Sequence, residues 1–271
     1  MRVAAIQMVS APEVAPNLAA AERLIAAAAA AGAKLVALPE YFCILGRQET
    51  DKVRAGETEG AGPIQEFLAA AARGHRVWLA GGTVPLRCAA PGKVRSACLL
   101  FDDTGRRVAR YDKMHLFGLE LGEHRFDESR TIEPGTAPVV VDTPLGRIGL
   151  SVCYDLRFPE LYRSAGAAAR PVDAWLVPSA FTAVTGAAHW ETLLRARAIE
   201  NQCYVVAPAQ GGLHPNGRRT HGHTMIVDPW GEVLASRAEG EGVVLADVDS
   251  ARIAEVRQSL PALAHRKLPP T

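Results

Sequence analysis

Between Arg2 and Glu40 the chain reads RVAAIQMV, then PNLAAAERLIAAAAAAG, then KLVALPE. The first and last of these runs are continuously apolar over the length of a strand. In the middle one, apolar residues recur at helical spacing and stop at Gly32, while Pro39 ends the second strand. This β-α-β rhythm constrains the chain more than any other feature, because a strand–helix–strand unit buries its apolar surface only by packing helices against a sheet.

The rhythm continues. A helix is expected over PIQEFLAAAARG, a strand over RVWLAGGTV, and a strand over SACLLFDDTG that turns at Asp103 to Gly105 and returns through RRVARYDKMHL. PVVVDTPLGRIGLSVC reads as a hairpin around Pro144 to Gly146. Pro159 opens a helix, where its missing N–H costs nothing. AWLVPSA, YVVAPAQ, HTMIVDPWG and GVVLADV read as strands, AHWETLLRARAIEN as a long helix, and DSARIAEVRQSL as a helix capped by Asp249. With no repeat or linker, one domain over residues 1–271 is expected, with two layered sheets and helices outside them.

At 271 residues and 48% apolar content the chain sits at the upper end of what one core supports. Thirty basic against 29 acidic residues leave a net charge of +1, which offers no electrostatic footprint for nucleic acid or an anionic membrane. No apolar run approaches the roughly 20 residues that span a bilayer. The five cysteines, Cys43, Cys88, Cys98, Cys153 and Cys203, are odd in number and widely spaced, with no C-x-x-C pair. Free thiols, a cytoplasmic location and a small-molecule partner follow as expectations.

Cys153 closes the apolar run RIGLSVC, so its thiol falls at the C-terminal end of a strand, the edge where α/β sheets bind ligands. Placement alone does not separate a nucleophile from a small buried hydrophobe. Glu40 follows the strand LVALP and Lys113 follows RRVARYD, and together they supply what a thiol lacks. A free cysteine is only a few per cent thiolate at neutral pH, so it needs a base and a cationic neighbour.

LPEYF, YDKMHLF and GLSVCYDLRFPEL, in that order, resemble the three catalytic motifs of the nitrilase superfamily, and the likeness runs from RVAAIQM to LPALAHRK. PSAFTAVTGAAHWETLLRARAIENQCYVVAPAQ and GHTMIVDPWGEVLA resemble its Nit-type amidase branch. The resemblance implies a single-domain, four-layer αββα sandwich that pairs into a homodimer or higher homo-oligomer and uses no metal and no organic cofactor. It implies thiol-dependent hydrolysis of small carboxylic acid amides, deaminated glutathione ahead of 2-oxoglutaramate, other ω-amides or N-carbamoyl amino acids. A catalytically idle binding protein on the same scaffold is the alternative from a different class.

In that chemistry Glu40 is the base and Cys153 the nucleophile, while Lys113 and the backbone N–H of Tyr154 hold the oxyanion. Glu128, in FDESRTIEPG, matches the family's supporting acid, although Asp127 and Glu133 stand close by. Arg157 fits a position that binds a substrate carboxylate or pairs with acids to hold the turn. Phe181 and Thr182 are expected to line the pocket, with Ser179 and Phe181 alternatively core. The segment from Phe117 to Gly135, with Gly118 and Gly122 as hinges, reads either as a loop over the pocket or as an ordinary exposed connection. Asp112 and Gly118 depart from the family pattern near the entrance. His221 and His223 share one face of a possible strand, but no third ligand stands at metal-site spacing. His115 and His189 belong to the family-like motifs and are expected to support the pocket.

Overall fold

The computed structural model describes residues 1–121, 124–165 and 170–267. The first sheet is built from β1 (Arg2–Gln7), β2 (Leu35–Ala37), β3 (Trp78–Ala80), β4 (Val84–Arg87), β5 (Val94–Phe101) and β6 (Arg107–Asp112). β1, β2 and β3 run parallel, β5 returns antiparallel beside β3, and β4 and β6 both pair with β5. A small hairpin of β7 (Gly118–Leu121) and β8 (His124–Asp127) follows.

The second sheet takes β9 (Val139–Thr143), β10 (Gly146–Leu150), β11 (Ala174–Leu176) and β12 (Tyr204–Ala207). After a second small hairpin of β13 (Gly211–Leu213) and β14 (Arg219–His221), it is completed by β15 (Thr224–Val227) and β16 (Val233–Arg237). β17 (Gly242–Asp247) then crosses back to pair antiparallel with β1, so the last strand closes the edge of the first sheet.

The period of two along each strand separates two cores. Ala4 and Ile6 of β1, with Val36, Leu79 and Leu99, face outward onto α1 (Val14–Ala30) and α3 (Pro63–His75), while the short α2 (Asp51–Arg54) lies beside β4. Val3, Ala5, Leu35, Cys98 and Leu100 face inward, against Ile148, Leu150, Leu176 and Val206 of the second sheet, whose other face carries Trp175 and Val205. On the far side lie α4 (Pro159–Ala165) and α5 (Ala183–Asn201), which bury Leu161, Tyr162, Trp190 and Leu194 in the same core. Each such side chain contributes ~1.5–3 kcal/mol when fully buried. The result is the expected four-layer αββα sandwich, and α6 (Ser250–Ser259), capped by the Asp249 carboxylate, ends the described helices.

Three departures from the sequence reading have local causes. RVWLAGGTV is two strands rather than one, because the chain passes so close to Pro39 that a Cβ on Gly82 would lie 2.1 Å from its carbonyl oxygen; Gly82 takes φ +52° there. The long helix begins at Ala183, five residues before AHWETLL. The Thr182 hydroxyl caps it by accepting from the Thr185 N–H, and Gly186 inside it lets His221 approach. The stretch expected as a loop from Phe117 to Gly135 holds β7, β8 and a 3-10 turn over Glu128–Arg130; Gly122 lies outside the described residues.

Candidate active site

Glu40, Lys113 and Cys153 each follow the end of a strand: β2, β6 and β10. The first two belong to one sheet and Cys153 to the other, and all three are buried, with Glu40 and Lys113 1% exposed and Cys153 8%.

Lys113 is the hub. Its Nζ donates to Glu40 Oε1 at 2.8 Å and to Glu128 at 2.7 Å and 3.0 Å. The Glu128 carboxylate also accepts from the Tyr41 hydroxyl at 2.7 Å and the Phe117 N–H at 2.8 Å. Asp127 instead receives its own turn's Ser129, and Glu133 lies 3.9 Å from Lys93, so Glu128 alone of the three acids reaches the lysine. Burial pushes the Glu128 carboxyl up, but the Lys113 charge and these donors outweigh it and hold it below the ordinary carboxylate range. Glu40 moves the other way: burial raises it, and the neighbouring Glu128 charge adds to that against the pull of Lys113.

Cys153 begins a 3-10 turn over Cys153–Arg157 with φ +49°, a left-handed conformation that costs an L residue on the order of 1–3 kcal/mol. Asp155 holds the turn in place. Its carboxylate accepts from the Val152 N–H at 2.8 Å, the Tyr111 hydroxyl at 2.7 Å and the His115 N–H at 3.0 Å, which ties the cysteine turn to the segment carrying Lys113. His115 Nδ1 reaches the same carboxylate at 2.7 Å and its ring stacks on Phe158. The Tyr154 N–H finds no acceptor among the described residues. Burial and the Glu40 charge raise the thiol well above its ordinary value, and Lys113 offsets only part of this. These surroundings favour the neutral thiol over the thiolate.

A narrow cavity of about 30 Å³ brings Glu40, Glu128, Cys153, Phe126 and Arg218 onto common walls. A second lobe of about 20 Å³ is lined by Cys153, Tyr154, Arg157, Phe181 and Thr182. The Arg157 guanidinium lies over the rings of Phe181 at 5.2 Å and Tyr154 at 5.7 Å, with Nη1 3.2 Å from His189 Nδ1. The acid pairing that a structural role requires is missing among the described residues. Phe181 is nearly buried against Trp190, and Ser179 is wholly buried. His221 and His223 stack on one another, and the described residues contain no group of three metal-ligating side chains. A roomier cavity of about 330 Å³ at the opposite edge, beside Met1 and Leu145, holds neither the thiol nor the acid cluster.

Two neighbours escaped the sequence reading. Tyr41 turns back onto Glu128 through a left-handed residue, φ +55°, with its N–H on the Thr83 hydroxyl. Gln210, from the other sheet, donates to the Glu40 backbone carbonyl at 3.0 Å and to Ser10 Oγ at 2.7 Å. Gln210 follows β12 at the same sheet edge as Cys153, so the rule that located the cysteine also pointed to it.

A buried thiol set beside a lysine shared by two buried carboxylates, at the edge of an αββα sandwich, is the arrangement of a class of enzymes that hydrolyse carbon–nitrogen bonds. The comparisons agree. The carbon–nitrogen hydrolase family profile matches residues 2–258, and the chain belongs to that family, within the nitrilase superfamily. It is 44% identical, over 97% of each chain, to a deaminated glutathione amidase from Synechocystis sp.. It is 40% identical to the human deaminated glutathione amidase, covering 98% of this chain and 82% of that one. Among solved structures, Saccharomyces cerevisiae Nit3, a member of branch 10 of the nitrilase superfamily, superimposes with a TM-score of 0.88 at 30% identity, over 99% of this chain and 97% of that one. The chain is an amidohydrolase acting on carbon–nitrogen bonds other than peptide bonds.

Proposed function

We propose that this enzyme cleaves the amide of a small 2-oxo acid, deaminated glutathione ahead of 2-oxoglutaramate, through a thioester on Cys153. The observation that carries the reading is the Lys113 ammonium held between Glu40 and Glu128 beside the thiol; the relatives' names supply the acyl group.

Glu40 takes the thiol proton as sulfur attacks the amide carbonyl, its raised affinity for protons suiting that task. Negative charge moves to the carbonyl oxygen, where the Lys113 ammonium and the free Tyr154 N–H receive it. As the C–N bond breaks, Glu40 returns the proton to the departing nitrogen. Water then attacks the thioester, losing a proton to Glu40; the C–S bond breaks and the thiol recovers its proton. Glu128 keeps Lys113 charged and aimed. Arg157, which has no acid partner among the described residues, takes the carboxylate of the 2-oxo acyl group, with Phe181 and Thr182 as walls. No step calls for a metal or an organic cofactor.

Residues 1–271 act as one domain in this reading, with family likeness over nearly all of it. The enzyme works in the cytoplasm, in keeping with cysteines that are all free. It pairs into a homodimer or larger homo-oligomer through the α5 side, where Ile199 and Trp230 are exposed. No described helix is long and apolar enough to cross a membrane.

The test is kcat/KM on deaminated glutathione, 2-oxoglutaramate, an N-carbamoyl amino acid and a nitrile. A tenfold lead for the first, about 1.4 kcal/mol of discrimination, is expected. A faster N-carbamoyl substrate overturns the assignment, and no turnover of any of them favours the idle-scaffold reading.

A further inference from the structure

The catalytic cavity has a continuation that the mechanism leaves unused. Phe126, Ala180, Thr182 and Arg218, which line it, also line a cleft of about 420 Å³ that runs on beside Val184 and Thr220. That volume falls in the range of small-molecule sites, whereas the space at the thiol is far smaller.

Arg218 stands where the two meet. It lies in the turn between β13 and β14, and the turn is held. The Arg218 N–H donates to Asn216 Oδ1, Asn216 Nδ2 donates to the carbonyls of Leu45 and Gly46 at 2.8 Å each, and Thr220 bridges to Thr182. The guanidinium rests over the Phe126 ring at 5.6 Å and has no acid partner among the described residues. Its neighbours are already matched: Arg219 pairs with Glu239, Glu49 with Lys52, and Asp127 accepts from Ser129. A fixed, partly buried cation is thus left facing the cleft.

The direction of the cleft follows from the chemistry. The departing nitrogen has to leave beside Glu40, which protonates it. The lobe containing Glu40 and Glu128 is the one that carries Arg218, whereas the lobe containing Arg157 holds neither acid. The acyl chain therefore points to Arg157 and the amine to Arg218. We infer that Arg218 reads a carboxylate on the leaving group, and that this contact is what sets an amide with an anionic leaving group ahead of the primary amide of the same acid. This rests on the amidase reading above and assigns its specificity to a residue on the leaving-group side.

The experiment compares wild type, Arg218→Met and Arg218→Lys on three amides of one 2-oxo acid: 2-oxoglutaramate, deaminated glutathione, and deaminated glutathione with its terminal carboxylate converted to a carboxamide. Arg218→Met should lose about 10- to 100-fold in kcat/KM on deaminated glutathione, mostly in KM, as expected for a lost charge-assisted contact. Its loss on the other two amides should be at least about tenfold smaller, with lysine restoring part of the difference. Equal losses on all three, or no loss on deaminated glutathione, overturn the inference and leave the amidase reading standing, because wild type still turns over 2-oxoglutaramate. If wild type turns over none of the three, the functional reading fails and this inference falls with it.

Discussion

Replacing Lys113 by Met should unsettle the fold as well as the chemistry, in a manner that pH reverses. Lys113 is completely buried at its side chain and supplies the cation for two buried carboxylates, Glu40 at 2.8 Å and Glu128 at 2.7 Å. Methionine fills a similar volume but leaves both acids without a counter-charge. Removing one partner of a buried ion pair costs roughly 3–5 kcal/mol, a large share of the ~5–15 kcal/mol by which domains are stable. At ~2–4 °C per kcal/mol for a chain of this size, Tm at pH 8 should fall by roughly 6–20 °C. Without the lysine, both carboxyls bind protons more tightly when folded than when unfolded. Groups of that kind contribute stability that is present below the unfolded pKa and lost as pH rises, so the deficit against wild type should shrink toward pH 4.5. Adding Glu128→Gln removes one of the two stranded charges and should recover part of the loss at pH 8. Differential scanning calorimetry across this range reads all three outcomes. A Tm within about 2 °C of wild type at pH 8, with no dependence on pH, would refute the idea that this cluster is held together by its central cation.

Iodoacetamide should label Cys153 and, more slowly, the half-exposed Cys88. Cys43, Cys98 and Cys203 should stay unlabelled because they are wholly buried and none lines the cavity onto which Cys153 opens beside Glu40, and peptide mass mapping of a Cys88→Ser variant with unchanged turnover checks the assignment. Lys113→Met should move Cys153 alkylation to higher pH, since the lysine is the nearby charge that favours thiolate; an unmoved profile would deny it that role. Burial raises Glu40 and the Glu128 charge adds to it; Glu128→Gln removes that second contribution, so the acidic limb of the kcat/KM profile should shift to lower pH, and a shift the other way would mean that Glu40 is not the titrating base. Gly149→Ala should cost ~1–3 kcal/mol in denaturant unfolding, because its Cβ would lie 2.5 Å from the fully buried ring of Trp175 on the neighbouring strand, and a neutral result would show that this ring can shift.

What was legible in the sequence was what short-range pattern encodes. Glu40, Lys113 and Cys153 each stand just past a strand, so apolar run and polar terminus mark them without any knowledge of the partner sheet. Choosing Glu128 over Asp127 and Glu133 needed geometry, because neighbours in a turn point in different directions and only one reaches Lys113. Tyr41 depended on a positive φ that no propensity reveals at a tyrosine, and Arg218 on a two-stranded hairpin too short to show periodicity. The start of α5 was missed because Gly186 reads as a helix breaker; the contact with His221 that requires a glycine lies 35 positions further along the chain.

The division of the cluster between two sheets has a further meaning for the chain as it is made. Glu40 and Lys113 belong to one half of the sandwich and Cys153 to the other, and Gln210 and Asp155 are the ties that bring them into register. Before the halves dock, the Cys153 thiol has neither Glu40 nor Lys113 beside it. If Cys153 is the nucleophile proposed, catalytic competence arrives together with the closed core and is lost when the core opens, so loss of activity and loss of the sheet-to-sheet ties should coincide.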